Sequence, residues 1–319
     1  MKDYKYQHTI PEAYLKYFST EKFVHVLELK HKYRRQVRKV GIGDKVFKKN
    51  KYYNFPNSAN EPILEKAFGR RETDQYETII SNLVNKTILG PELKMQILDW
   101  VLMLKTRSSM FRDQFENLFT WMEKTAYGLK YGKKAMDENL KGFEEKGKRQ
   151  AKALQLTQFL DSQEHALLRE AYMKSFFIKK WEVISSNEIN FLTSDNPGFS
   201  ISFSEDILRL GLSPLSSKYN LDNSVNAKHY FPLTNSLCLC LSPITEIELK
   251  PEREIDWEAI MRENIAFCEG NSNQIQVINK STFLTSNEIV VGKGYNDLIE
   301  YEKNPNQNGI SYYDTIHLI

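Results

Sequence analysis

Three residues of this 319-residue sequence, His8, Asp195 and His229, have the side-chain types that acid–base chemistry uses. An imidazole titrates near neutral pH, and a carboxylate can orient an imidazole or activate a water molecule. His229 has a competing structural interpretation, because it falls in a predicted strand, where a histidine often only binds a backbone carbonyl group. Together with the amide of Asn196, these residues form the set of catalytic candidates.

Asp195 lies in a segment, NFLTSDNPGF (190–199), whose composition predicts a strand followed by a turn. Pro197 fixes its own φ and disfavours the helical conformation for Asn196, so the chain must turn here. A strand that ends in Ser194, Asp195 and Asn196 is suited to present polar groups at a cleft. The alternative is an Asx-type turn, in which Asp195 or Asn196 binds only its own backbone.

His8 immediately precedes a predicted short helix. The spacing of Thr9 and Glu12 is that of a capping box, and Pro11 is suited to the first helical turn. The free amide groups of a helix start favour anions near His8. We therefore predict that His8 and Asp195 meet in one concave site, where the carboxylate raises the pKa of His8. The alternative is an exposed histidine in a frayed terminus.

Positive charge is concentrated in segment 30–51, which holds ten Lys or Arg residues and one acid, Asp44. With tyrosines at 33, 52 and 53, it predicts a solvent-facing hairpin that contacts the phosphates of RNA or DNA. The alternative is a solvated edge hairpin, in which lysines only prevent aggregation. Arg107, in a predicted long helix, could hold a phosphate or carboxylate through two hydrogen bonds or extend to solvent. The candidate substrate-binding residues are Gln7, Ser194, Arg107, Arg34, Arg35 and Lys48.

The three cysteines do not form a recognisable metal site. Cys238 and Cys240 lie on the same side of a predicted strand, and Cys268 falls in a predicted helix, so the second pair of a tetrahedral zinc site is missing. We expect reduced cysteines, without metal, and we expect no cofactor, because no Walker loop and no dinucleotide fingerprint is present. An odd number of cysteines also fits a reducing, cytoplasmic setting.

The overall composition is that of a folded protein, with 41% hydrophobic and 12% aromatic residues. The formal net charge of +3 gives no global argument for nucleic-acid binding, so local clusters must carry that claim. The longest apolar runs are shorter than the roughly 18 residues of a membrane span, and the polar start lacks a signal-peptide apolar region. We expect a cytoplasmic protein that does not enter a membrane.

Hydrophobic periodicity predicts the α+β class: a mainly antiparallel sheet with a large helical insertion or a helical bundle packed on it. We expect one domain in three regions: an N-terminal cap and basic hairpin (1–55), a helical region (56–175) and a C-terminal sheet region (176–319). Within them we predict a strand at 22–29, one long helix from Gly90 to Gly128, and a hairpin at 228–241. A final strand is predicted at 274–278.

Three stretches resemble one family: QHTIPEAYLKYF near the start, LTSDNP in the centre and YFPLTNSLCLCLSP after it. KTRSS in the predicted long helix is a weaker match. The pattern is similar to the bacterial proteins grouped as domain of unknown function 4238. The resemblance covers most of the chain and implies no established reaction. It implies a shared set of positions, which are His8, Pro11, Ser194, Asp195, Asn196 and Pro232.

Two functions are consistent with these features. The first is a cytoplasmic bacterial enzyme that acts on a phosphate-containing substrate, such as a metal-independent nuclease on RNA or DNA, with His8 as acid or base and Asp195 as its partner. The second is a non-enzymatic nucleic-acid- or protein-binding module in which the DNP turn is structural. The enzyme requires His8 and Asp195 in one site, whereas the module requires a continuous basic surface.

Overall fold

The structure of the protein is a computed structural model that describes residues 6–30, 36–53, 63–86, 90–157, 166–202, 227–243 and 265–303. In this part of the chain, helices and mainly antiparallel strands are both abundant, so the predicted α+β class is confirmed. None of the helices described is long and apolar enough to cross a membrane.

The described strands form three sheets instead of a single one. Their bounds are β1 (Tyr6–His8), β2 (Phe23–Glu28), β3 (Val37–Gly41), β4 (Lys48–Asn50), β5 (Lys180–Ser185), β6 (Thr193–Ser194), β7 (Phe199–Ser202), β8 (Ala227–Pro232), β9 (Leu237–Ser242), β10 (Ala266–Glu269) and β11 (Ile289–Gly292). One sheet has the order β10-β5-β9-β8-β7, a second has β3-β2-β11-β6, and β1 pairs with β4. The pairing of β10 with β5 is parallel, and the other ladders are antiparallel.

The strand β11 joins the N-terminal third of the chain to the DNP segment. It pairs on one side with β2 and on the other with β6, so Val290 lies opposite both Leu27 and Ser194. The prediction of a final strand at 274–278 is wrong, because these residues belong to a helix, Ser272–Thr285. The helix follows an Asn271 side chain that accepts a hydrogen bond from the Gln274 amide group, and this cap overrides the short apolar run.

The described helices are α1 (Glu12–Lys16), α2 (Ile63–Val84), α3 (Pro91–Arg107), α4 (Ser109–Tyr131), α5 (Lys133–Glu138), α6 (Leu140–Thr157), α7 (Ala166–Phe177), α8 (Ser272–Thr285) and α9 (Ile299–Lys303). The predicted long helix is broken at Ser108, which has an extended backbone with φ −61° and ψ 151°. The Ser108 hydroxyl accepts a hydrogen bond from the Phe111 amide group, so it ends α3 and caps α4 at the same residue.

The described part of segment 30–51, residues 30 and 36–51, does not form a hairpin of its own. Its strand β3 pairs with β2, and its strand β4 pairs with β1, so the two strands belong to different ladders. The predicted capping box is also wrong. The Thr9 hydroxyl donates a hydrogen bond to the Phe47 carbonyl group, and α1 starts after Pro11 without a side-chain cap.

Two predicted strands of the C-terminal region are confirmed as a hairpin, β8 and β9, with Thr234 in its turn. The hydroxyl of Thr234 accepts hydrogen bonds from the amide groups of Ser236 and Leu237, which fixes the turn. Cys238 and Cys240 are buried on β9, as expected for small apolar residues. Cys268 lies on strand β10 and not on the helix that the sequence predicted.

Candidate functional site

The three sequence stretches that resemble the family converge in the fold on the side chain of Tyr14. Tyr14 is fully buried in α1, and its hydroxyl donates a 2.5 Å hydrogen bond to the carbonyl oxygen of Pro232 on β8. The hydroxyl oxygen of Tyr14 also lies 2.8 Å from the hydroxyl of Thr193 on β6. The N-terminal element, the DNP strand and the hairpin are therefore packed together around one phenol group.

The end of α3 connects the DNP turn to the N-terminal element. Lys105 is buried, and its ammonium group donates hydrogen bonds to Oδ1 of Asn196 at 2.6 Å and to the Gly198 carbonyl at 2.7 Å. The amide of Asn196 donates in turn to the Thr285 carbonyl at the end of α8. Gly198 has φ +79°, and a Cβ atom there would lie 2.2 Å from the Phe231 ring, so a side chain is excluded.

Asp195 holds the start of β11 and is the centre of what we call the Asp195 anchor, which comprises Asp195, Asn196 and Lys105. Its carboxylate accepts hydrogen bonds from three backbone amide groups, at residues 287, 288 and 289, over 3.1, 3.0 and 3.4 Å. Burial raises the pKa of Asp195 to about 6, although the amide groups oppose this shift. Burial lowers the pKa of Lys105 to about 7, and the charge of Asp195 opposes it.

Arg107, two residues after Lys105, binds the N-terminal element, just as Lys105 binds the DNP turn. One of its nitrogens, Nη2, donates a 2.7 Å hydrogen bond to the carbonyl oxygen of His8, and Nη1 forms an ion pair with Glu72 of α2. Its guanidinium lies over the rings of Tyr53 and Phe68. Arg107 is 1% exposed, so it neither extends to solvent nor offers a free fork to a substrate.

His8, Glu12, Lys48 and Arg107 form a second group, which we call the His8 cluster. The His8 Nε2 atom lies 3.0 Å from Oε1 of Glu12, but the contact lacks hydrogen-bond geometry, and the ammonium group of Lys48 lies 4.0 Å from the same oxygen. Burial, and then the charges of Lys48 and Arg107, lower the pKa of His8 to about 3. This direction is opposite to the one the sequence predicted, and it makes the imidazole neutral at pH 7, so we treat the contact as one between a carboxylate and a neutral ring.

The side chains of His8 and Asp195 make no hydrogen bond or ion pair with each other in the described residues. They belong to different groups that share α3, because Arg107 binds the backbone of His8 and Lys105 binds the neighbour of Asp195. The two sequence elements are thus adjacent, while the two candidate side chains point to different partners.

His229 lies on β8 and is fully buried. Its Nδ1 atom is 2.7 Å from the hydroxyl of Ser200 on β7, and its ring stacks against Phe231. Burial, and then the positive charges of Lys179 and Lys105, hold the pKa of His229 well below its usual value. The direct contacts of His229 are thus Ser200 and neighbouring aromatic rings, and Lys179 and Lys105 act on it only through their charge.

The remaining candidate binding residues have structural partners. The side chain of Gln7 is buried and accepts a hydrogen bond from the Tyr53 amide group, and the Ser194 hydroxyl accepts one from the Asn196 amide group. Of the described basic residues, Lys48 and Lys49 approach acidic side chains at 12 and 288, and Arg38 pairs with one at 28. Arg34 and Arg35 lie outside the described residues.

A cleft of about 280 Å³ lies between α1 and α2, beside the ion pair of Glu72 and Arg107. It is lined by Ala13, Lys16, Tyr17, Gly69, Glu72, Tyr76 and Glu77. Two carboxylates and one ammonium group give this cleft a net negative lining, which disfavours an anion.

Sequence reasoning missed Lys105 and assigned Glu12 a different role. A lysine after Leu102, Met103 and Leu104 in an apolar helix was a signal for Lys105, since a buried lysine needs polar partners. Glu12 follows His8 by four residues, a spacing at which two side chains can meet, whereas the sequence analysis assigns it to a helix cap. The role of the amide groups at 287–289 left no signal, because any residue provides a backbone N–H group.

These features define an α+β protein in which one helix end carries a buried polar anchor and supports a partly exposed histidine–carboxylate pair. A family model described as "Protein of unknown function (DUF4238)" matches residues 6–295 of the chain, and the chain belongs to this family. The matched range contains both groups of residues. The comparison with curated proteins gave no match, and neither did the comparison with solved structures.

Proposed function

We propose that this protein is a cytoplasmic bacterial enzyme, a metal-independent hydrolase that cleaves a phosphate ester, with RNA or DNA as its substrate class. The His8 cluster is the observation that carries the proposal. It combines a neutral and partly exposed imidazole, a carboxylate 3.0 Å from Nε2, and a neighbouring lysine. An acid–base group beside fixed positive charge is what attack on a phosphodiester requires.

His8 exchanges one proton with the reactants in the proposed reaction. The negative charge of Glu12, 3.0 Å from Nε2, favours the tautomer with hydrogen on Nε2 even without hydrogen-bond geometry, and Nδ1 is then the acceptor. Nδ1 takes a proton from water or from a ribose hydroxyl group while that oxygen forms its bond to phosphorus. The bond from phosphorus to the leaving oxygen breaks, and the imidazolium returns the proton to that oxygen. Lys48 stabilises the negative charge that develops on the phosphoryl oxygens.

The low pKa of His8 in the free protein makes substrate binding part of the proposal. After burial, the charges of Lys48 and Arg107 are the causes of the low value. A phosphate anion opposes both charges, so its binding raises the pKa of His8 toward the pH of the reaction. We expect an NMR titration of the His8 ring to give a higher pKa with a non-hydrolysable phosphodiester than without it.

The test of the activity uses substitutions within the His8 cluster. His8→Ala should lower kcat for cleavage of RNA or single-stranded DNA by about 100-fold or more, in buffer that contains EDTA, and Glu12→Gln should lower it in the same direction. His25→Ala is the matched control, because His25 Nδ1 lies 3.1 Å from the Lys293 carbonyl, away from the cluster. Full activity in a folded His8→Ala protein would refute the assignment.

A second candidate is a non-enzymatic nucleic-acid- or protein-binding module, and the Asp195 anchor favours it. The carboxylate of Asp195 accepts three backbone hydrogen bonds and is 6% exposed, as a structural turn requires. This candidate predicts saturable binding of labelled RNA or DNA that wild-type protein does not cleave. It also predicts that His8→Ala leaves that binding unchanged, which separates it from the enzyme.

A further inference from the structure

A row of large apolar side chains on α4 is exposed to solvent. Leu118 is 42% exposed, Trp121 62%, Met122 51% and Leu129 85%, and Thr125 lies exposed between them. Positions 118, 122, 125 and 129 alternate by four and three residues, which is the spacing of a coiled-coil seam. We call these five residues the α4 stripe.

The α4 stripe lies on the side of α4 that faces away from α6, and the short helix α5 contacts α4 at Gly128, beside the end of the stripe. The opposite side of α4 packs against α6, where a Cβ atom on Gly147 would lie 2.1 Å from the Thr120 hydroxyl, so the two helices are in close contact. Lys146 and Lys148 of α6 approach Glu123 and Glu116 of α4. The contact between α4 and α6 is thus already close-packed. The apolar side chains of the α4 stripe take no part in it.

We propose that the α4 stripe binds the α4 stripe of a second copy of this chain, in an antiparallel and two-fold symmetric helix pair. Such an interface is self-complementary, so one stripe suffices to form it. With its axis beside Met122, the pairing brings the N-terminal half of each α4 against the C-terminal half of the other. The apolar residues of the two stripes are then removed from water together.

The helix dipoles favour this orientation. In an antiparallel pair the N-terminus of each α4 lies near the C-terminus of the other, so opposite ends of the two dipoles are adjacent. A parallel pair would place like ends of the dipoles together.

The exposed area is of the size that such a pair needs. With on the order of 200 Å² for a large side chain, the four apolar residues expose roughly 500 Å² per copy. This is at the upper end of the apolar patches found on monomers. Two copies can bury up to roughly 1,000 Å² through these residues, and contacts of flanking residues would bring the total toward the ~1,200 Å² of small specific interfaces.

The first experiment is the oligomeric state by sedimentation equilibrium over a range of concentrations. The full chain should be dimeric, and Trp121→Glu with Met122→Glu should weaken the dimer at least 100-fold. Ala153→Glu is the control, because Ala153 is exposed on α6 outside the stripe, and it should remain dimeric. A monomeric wild-type protein at every concentration would overturn the proposal, as would an equally strong dimer in the doubly substituted protein.

The second experiment tests the antiparallel orientation by oxidative cross-linking in a Cys268→Ser background, since Cys268 is the exposed native cysteine. Facing Cα atoms of two helices ~8–10 Å apart come within disulfide distance, so Met122→Cys near the axis should cross-link to its own copy. Leu129→Cys should not, because its two copies are then about 15 Å or more apart along the axis.

Two results would refute the proposal. Efficient cross-linking at both positions indicates a parallel pair. Binding of monomers to lipid vesicles through Trp121 indicates that the stripe contacts a membrane surface instead.

Discussion

At the scale of single residues, the polar side chains that the sequence marked as reactive divide into buried supports and one partly exposed group. Lys105 and Arg107 use their hydrogen-bond donors on Asn196, Gly198 and His8. A buried charge is tolerated only where such partners surround it. The DNP turn is consequently fixed by long-range contacts and not by the local bonds of an Asx-type turn alone.

Asp195→Asn should destabilise the protein, because an amide cannot accept all three backbone hydrogen bonds. Whichever way it is turned, its NH₂ group meets at least one of the amide groups at residues 287–289. We expect a loss of about 1–3 kcal/mol in the free energy of unfolding, measured with urea.

Asp44→Asn is the matched control for this substitution. Asp44 accepts one hydrogen bond, from the Val46 amide group, and Asn is as good a cap as Asp. The control should change stability by a few tenths of a kcal/mol. Equal losses in the two variants would mean that the Asp195 anchor has no special role.

At the scale of secondary-structure elements, the break between α3 and α4 ends α3 just after Lys105 and Arg107. This one helix end therefore contacts both the Asp195 anchor and the His8 cluster. The Gln155 amide of α6 donates hydrogen bonds to the carbonyl groups of Thr106 and Ser108, which the break leaves without helical partners. Asn287 donates to the Ser109 hydroxyl and so connects the same break to the start of β11.

Ser108→Ala should destabilise the protein by about 1 kcal/mol, the usual effect of losing an N-cap. The hydroxyl of Ser108 accepts from the Phe111 amide group and donates to the Lys105 carbonyl, and alanine does neither. Thermal unfolding followed by circular dichroism measures the change. Ser81→Ala in α2, at an exposed helical position, should be neutral or slightly stabilising. No difference between the two variants would contradict this role of Ser108.

At the scale of the whole molecule, segments far apart in sequence share one sheet. The order β3-β2-β11-β6 places the predicted N-terminal cap region beside the last described strand and the DNP strand. Two of the three regions that the sequence suggested, 1–55 and 176–319, therefore share this sheet. The buried pair of Asp195 and Lys105 lies where these parts meet, so its ionisation affects the stability of the whole fold.

The pH dependence of unfolding follows from these two pKa shifts. The pKa of Asp195 is raised to about 6, so its contribution to stability is fully present below about pH 4 and is lost as the pH rises through 6. The pKa of Lys105 is lowered to about 7, so its contribution is present above about pH 10 and is lost as the pH falls through 7.

Together, these two groups predict a minimum of their combined contribution between pH 6 and 7. Denaturant unfolding from pH 5 to pH 9 measures it, and Lys105→Met should flatten the rise on the alkaline side relative to wild type. A Lys228→Met control, at a partly buried position on β8, should keep the rise. Identical profiles for all three proteins would show that Lys105 is not the titrating group.

The sequence by itself determined the α+β class and several elements: the strand β2, the hairpin of β8 and β9, and the turn at Pro197. These depend on alternation, helical periodicity and turn residues, which act over a few neighbours. It also drew attention to His8, Asp195 and KTRSS as positions of interest, because polar groups beside apolar runs need partners. The sequence did not predict the break at Ser108, because it indicated one long helix from Gly90 to Gly128.

Only the tertiary structure decided which of these residues are partners. The carboxylate of Asp195 binds backbone amide groups more than ninety residues away, and His8 lies beside Glu12 and Lys48 and not beside Asp195. Backbone N–H groups carry no residue signature, and burial arises only when distant segments pack together. The fold therefore sets the pKa of His8, Lys105 and Asp195, since desolvation, the largest cause in each case, has no counterpart in the sequence.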